Sequence, residues 1–132
     1  MEFDRSKKDR SYQYGRLLAI LEKIENDTYD NDNERTTNAL RMQSIFVKRP
    51  AYASKILIEK LKNSYYSKLH TGSRIRYEKM IGEIYEIINE FGEKEYNKPL
   101  SEMYLIGYYL QKNELYKKKE SIVSTENEER EE

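Results

Sequence analysis

The run from Tyr77 to Phe91 constrains this chain most, because Tyr77, Met80, Ile81, Ile84, Ile87, Ile88 and Phe91 return at intervals of three and four. That spacing lines one face of an α-helix, whereas a half-buried strand repeats every two residues. Four other segments share the period, and only two prolines and five glycines punctuate the 132 residues. The pattern predicts an all-α chain folded as a compact bundle of four to five helices.

The first predicted helix starts at Ser11 as N-cap and runs to about residue 29, with Tyr14, Leu17, Leu18, Leu21 and Ile24 as one apolar stripe. A weaker second helix spans residues 34–47 and turns Ala39, Met42, Ile45 and Phe46 inward. Lys48, Arg49 and Pro50 end it, and Pro50 suits the first turn of a third helix whose stripe is Ala53, Leu57, Leu61 and Tyr65. His70, Thr71 and Gly72 read as its stop. The fourth helix covers residues 73–91. Ser101 caps a fifth, with Met103, Ile106, Leu110 and the stem of Lys117 facing inward and Tyr104, Tyr108 and Tyr109 at the flanks.

Composition limits what such a bundle can be. Charged residues make up 36% and hydrophobic residues 37%, enough for one modest core in 16.0 kDa. Without cysteine the chain has no disulfide, thiolate metal site or cysteine nucleophile, which fits a reducing cytoplasm. No stretch reaches the roughly 18 apolar residues of a membrane span, and the opening residues lack the apolar core of a signal peptide, so no membrane partner is expected. The net charge of zero conceals six glutamates against Arg130 alone in residues 120–132. Residues 1–119 hold 23 Lys+Arg against 18 Asp+Glu, a mildly basic body of net charge +5. The expected organisation is a flexible N-terminal arm (1–10), a helical bundle (11–119) and a disordered acidic tail (120–132).

The chemistry available points away from catalysis. One histidine, no glycine-rich phosphate loop and no nucleophile motif predict no enzyme, no cofactor and no small-molecule substrate. His70 is expected beside terminal helix carbonyls. The acidic run 30–34 lacks two features of a calcium loop, since Arg35 stands where glycine is needed and Arg41 where glutamate is, so no metal site is expected. The cations are more informative. Arg41, Lys48, Arg49 and Lys55 flank the proline corner, and Arg41 and Lys48, seven apart on one predicted helix, share a face. Arg74, Arg76 and Lys79 open the fourth helix, where they oppose the macrodipole and therefore lack a stability motive. An anion there would gain from the cations and from the free N–H groups. Both sets are candidate phosphate contacts, while Tyr108, Tyr109 and Lys112 form a candidate subunit interface.

The segments GRLLAILEKIE (15–25), Arg41 followed nine residues later by Pro50, SKLH (67–70), IGEIYEII (81–88) and IGYYLQKNELY (106–116) occur in a telling order. Together they resemble the C-terminal helical domain of the large subunit of type I-C CRISPR interference complexes, over about residues 11–117. In that family the region is also made as a free small subunit from an internal start, and a chain opening at Met1 resembles that product. The resemblance implies a non-catalytic Cascade subunit, present in more than one copy. Its implied partners are the backbone and large subunits, further copies of itself, and the guide–target heteroduplex or displaced strand. In RNA-guided effectors base pairing reads sequence while protein holds backbone and shape, a role that needs cations without base-specific geometry. Only Arg41 and Pro50 of the basic corner fall on the family's pattern. The rival expectation is a structural adaptor that bridges protein subunits through Tyr108, Tyr109 and the basic residues and touches no nucleic acid.

Overall fold

The computed structural model describes residues 2–28 and 37–131, with side chains as far as residue 117. Six α-helices follow one another: α1 Arg10–Asp27, α2 Asn38–Arg41, α3 Gln43–Lys48, α4 Pro50–Ser64, α5 Thr71–Asn89 and α6 Met103–Glu131. Short 3₁₀ turns occupy Tyr66–Lys68 and Glu93–Glu95, and there is no strand among the described residues. The all-α bundle is therefore observed. The expected acidic tail falls on residues whose side chains lie outside those described. Among the described residues no helix is long and apolar enough to cross a membrane.

Helix α1 is the axis of the bundle. Asp9, rather than Ser11, is its N-cap, and its carboxylate accepts from the Tyr12 amide at 2.9 Å. Every residue from Ser11 to Glu25 is buried, polar ones included, where the sequence pattern had one buried stripe. α6 packs along α1, with α5, α4 and α2 on other sides. The N-terminal arm, expected to be flexible, completes the enclosure. Gln13 Nε2 donates to the Lys7 carbonyl at 2.8 Å, the Asp4 amide to the Tyr12 hydroxyl at 2.9 Å, and Arg5 pairs with Glu83 at 2.5 Å.

The approach of α6 to α1 is set by two glycines. A methyl group on Gly15 would overlap the Tyr104 carbonyl, and one on Gly107 would overlap the Tyr12 carbonyl, so the two backbones touch directly. This moves the inward face of α6. Gly107, Tyr108, Gln111 and Leu115 are buried, whereas Met103, Ile106 and Leu110 are only half-buried and Lys117 is exposed. Tyr108, expected at a flank, is inside.

Two further expectations need correction. The second helix is two short ones broken at Met42: Ala39 and Phe46 are buried, but Ile45 is 45% exposed. Thr37 caps α2, and so does the carboxylate of Glu25, which accepts from the Asn38 and Ala39 amides at 2.9 and 3.0 Å. A side chain from α1 thus supplies acceptors for the first amides of α2, while residues 34–36 of the expected second helix lie outside the described residues. His70 is not a stop for α4 but the N-cap of α5, its Nδ1 accepting from the Gly72 amide at 3.3 Å. The α5 stripe itself holds, with Tyr77, Ile81, Ile84, Ile87 and Ile88 buried and Phe91 38% exposed. Gly92 follows at φ +88°, a conformation that favours glycine. Pro50 occupies the first turn of α4, as its ring requires.

Two glycine substitutions separate the packing role from helix propensity. Gly82→Ala in α5, with nothing within 4 Å of the new methyl, should stabilise by about 0.5–1 kcal/mol through propensity. Gly107→Ala gains the same propensity but is expected to destabilise by about 2 kcal/mol through overpacking at the crossing. Paired denaturant melts check both signs.

Candidate nucleic-acid interface

The basic corner is built where α3 meets α4. Arg41 ends α2, Lys48 ends α3, and Arg49 precedes the buried Pro50. All four cations of the set, Lys55 included, are exposed. None has an ion-pair partner among the described residues, and the Arg49 guanidinium lies over the Tyr52 ring at 4.4 Å. The corner is braced from a distance: the Leu100 amide donates to the Val47 carbonyl at 2.8 Å, and the Tyr52 amide to Asn97 at 3.0 Å. The break at Met42 removes the continuous helix on which the seven-residue spacing of Arg41 and Lys48 relied. Lys55 faces a different feature, an apolar groove of about 390 Å³ between α4 and α5 with Tyr14, Tyr85 and Tyr96 in its walls. The four cations are all exposed, Lys48 and Arg49 adjacent in the chain where α3 meets α4, Arg41 at the end of α2 and Lys55 towards the groove.

The second set behaves differently. Arg76 and Lys79 join Arg5, Lys23 and Lys68 around a cleft of about 800 Å³ enclosed by α1, α5, α6 and the N-terminal arm. Asp27 and Glu114 are the carboxylates of the lining, and Asp27 is engaged by Lys23 at 2.6 Å and by the Tyr77 hydroxyl at 2.6 Å. Burial, and then that hydrogen bond to Asp27, push the Tyr77 hydroxyl far above its ordinary value. Arg76 lies over the Tyr77 ring at 5.2 Å, and Arg74 stays outside the cleft, 4.0 Å from Glu78. His70 belongs to the lining through its cap position.

The expected subunit interface divides. Tyr108 is buried, and its hydroxyl donates to Glu22 at 2.6 Å. Lys112 reaches the same carboxylate at 3.2 Å, so Tyr108 and Lys112 are committed to satisfying a buried charge of α1. Burial first, and Glu22 second, raise the Tyr108 hydroxyl well above the ordinary tyrosine range. Tyr109, 57% exposed and edge-on to Tyr108, is the aromatic that faces outward. Among the described residues, no group of three or more His, Cys, Asp or Glu side chains is placed to hold a metal ion.

The profile of the CRISPR-associated protein family Cas_Csd1 matches residues 1–116. The chain belongs to the Cas_Csd1 family of CRISPR-associated proteins. The matched span includes α1 to α5 and the part of α6 that packs on α1, so both basic sets and the cleft lie within the Cas_Csd1 region. The acidic run at 120–132 lies beyond it. No curated protein shows significant similarity to the chain.

Sequence reasoning missed Arg5, Lys23 and Lys68 as members of the cleft. Arg5 sits in the N-terminal arm, and its link to Glu83 spans 78 positions, which no local pattern reports. The i,i+4 spacing of Lys23 and Asp27 was visible, but the burial of Lys23 depends on tertiary packing that no local pattern reports.

The buried tyrosines predict an alkaline transition. Burial raises Tyr14 from 10.0 to about 12, and Tyr77 and Tyr108 move the same way. A phenol whose folded pKa exceeds its unfolded value stabilises fully below pH 10 and loses that contribution as pH rises through about 12. Stability should therefore fall between pH 10 and 12, with these tyrosinates absorbing at long wavelength only as helical circular dichroism is lost. Tyr108→Phe, which leaves Glu22 buried with one partner fewer, should cost about 1–3 kcal/mol at neutral pH.

Proposed function

We propose that this Cas_Csd1 chain is the non-catalytic small-subunit module of a cytoplasmic type I-C Cascade, and that it supports target-DNA binding and the R-loop through sequence-independent backbone contacts. The observation that carries the reading is the corner of Arg41, Lys48 and Arg49, exposed cations without carboxylate partners among the described residues, in a chain whose family is CRISPR-associated. Cations left unpaired on a rigid, all-helical support suit phosphate oxygens, which need charge and register rather than base-edge geometry. Arg76 and Lys79 add a second positive area. Further copies of the chain, the backbone subunits and the large subunit are the proposed protein partners, with Tyr109 as the outward aromatic anchor. Exposed Tyr109 also favours the rival reading, an adaptor without nucleic-acid contact, which predicts assembly defects and no salt-linked effect on DNA.

The test uses a guide-loaded complex whose large subunit is made without its internal start, assayed for target-duplex binding with and without this chain. Addition is expected to restore stable binding, with a log–log salt slope steeper by about 2–3 if roughly three phosphates are neutralised. Arg41→Ala with Arg49→Ala should weaken that binding and flatten the slope while helicity stays intact. Unchanged affinity and slope would reject the corner as a contact.

A further inference from the structure

The cleft beside α5 has two faces that a solvated charge patch lacks. Its volume of about 800 Å³ falls in the range of about 300–1,000 Å³ typical of small-ligand pockets. Part of the lining is apolar, from Leu69, Met80 and Leu115, and part is cationic, from Lys68, Arg76 and Lys79. Asp27 is engaged by Lys23 and Tyr77, which leaves Glu114 as the lining carboxylate without an ion pair among the described residues, outnumbered by Lys68, Arg76 and Lys79.

A second observation lies directly behind the lining. Arg16 is fully buried at 0% exposure, and three residues of the cleft wall touch its guanidinium: the Phe3 ring at 5.2 Å, the Arg5 carbonyl at 2.8 Å and the Gln111 amide oxygen at 2.8 Å. Its remaining acceptor, the Gln13 amide oxygen at 2.8 Å, is also neutral, and Nη2 has no partner among the described residues. Its hydrogen-bond acceptors are all neutral, and the carboxylates that act on it, Glu83 and Asp4, do so through space, so the positive charge sits in a low-dielectric setting without a directly bonded carboxylate. Burial, reinforced by Arg5, brings its pKa down to about 10. The charge persists at neutral pH and adds to the potential of the adjacent cleft, where an anion could compensate it.

We propose that this cleft binds a phosphorylated nucleoside, with the phosphate held by Arg76 and Lys79 in the field of Arg16 and the base laid against Leu69, Met80 and Leu115. The phosphate adds to the through-space counter-charge that Glu83 and Asp4 place on Arg16, and Leu69, Met80 and Leu115 give the base an apolar contact that a bare inorganic anion would not use. The inference deepens the nucleic-acid reading and rests on it for one of two sources of the same chemistry, an unpaired nucleotide of a strand. The other source is a free nucleotide.

The isolated full chain, labelled with nitrogen-15, is titrated with thymidine 5′-monophosphate, a thymidylate octamer, thymidine and inorganic phosphate. The monophosphate or the octamer should shift backbone amides of residues 68–80 and 111–115, with thymidine and inorganic phosphate at least about tenfold weaker, the factor equivalent to about 1.4 kcal/mol. Arg76→Ala with Lys79→Ala, both exposed, should weaken binding by about tenfold or more through loss of charge-assisted hydrogen bonds. Tighter binding of the octamer assigns the cleft to a strand, and tighter binding of the monophosphate assigns it to a free nucleotide. No shift at those amides, an unaffected Arg76–Lys79 variant, or inorganic phosphate as effective as the monophosphate overturns the proposal. The corner reading has its own readout, the salt slope of target-duplex binding, so failure of the cleft leaves that reading standing and the reverse also holds.

Discussion

A helix that carries Gln13, Arg16, Glu22, Lys23 and Glu25 can be enclosed on every side only if each polar end meets a partner inside, and the rest of the bundle is arranged around that requirement. Glu22 receives Tyr108 and Lys112 from α6, and Glu25 receives the first amides of α2. Lys23 finds Asp27 one turn on, while Gln13 and Arg16 take carbonyls of the N-terminal arm. The side chains of α1 thus decide where α2, α6 and the arm are anchored. Apolar packing by Leu17, Leu18, Ile20 and Leu21 supplies the non-directional part of the attraction.

The glycine crossing explains why these polar contacts fit. With Gly15 and Gly107 bringing two backbones into contact, side chains one turn away on α6 reach across α1 rather than stopping at its near surface. Gln111 meets Arg16 and Tyr108 meets Glu22 because the interhelical gap is small. A wider spacing would leave both charges buried and short of acceptors or donors. Polar satisfaction and close packing are therefore one geometric condition here, met by residues that hydropathy scales rank poorly.

Much of the fold could be read from the chain because α4 and α5 are one-sided helices, whose apolar spacing reports their buried face directly. Ala53, Leu57, Leu61, Ile81, Ile84 and Ile88 all turn inward as the period requires. Helix α1 was legible as a helix but not as an axis, since its enclosed polar residues look solvent-facing until their partners, up to 95 positions away, are known. On α6 the apolar count favoured Met103, Ile106 and Leu110, whereas the crossing selects Gly107 and its neighbours. His70 was placed beside a helix end correctly and given the wrong helix, because an imidazole can serve a preceding terminus or cap a following one. The two basic sets were visible as charge, but which cations converge on a cleft depends on tertiary contacts of Arg5, Lys23 and Lys68.

The carboxylate of Glu25 has a consequence for how the chain tolerates change. It grips the Asn38 and Ala39 amides and the Asn38 side chain, at 2.9, 3.0 and 2.7 Å, so α2 is held to α1 by that clasp at the near ends of both helices. This makes Glu25 a single point on which the placement of α2 against α1 turns, so a change at one side chain of the axis reaches a helix whose own residues are intact.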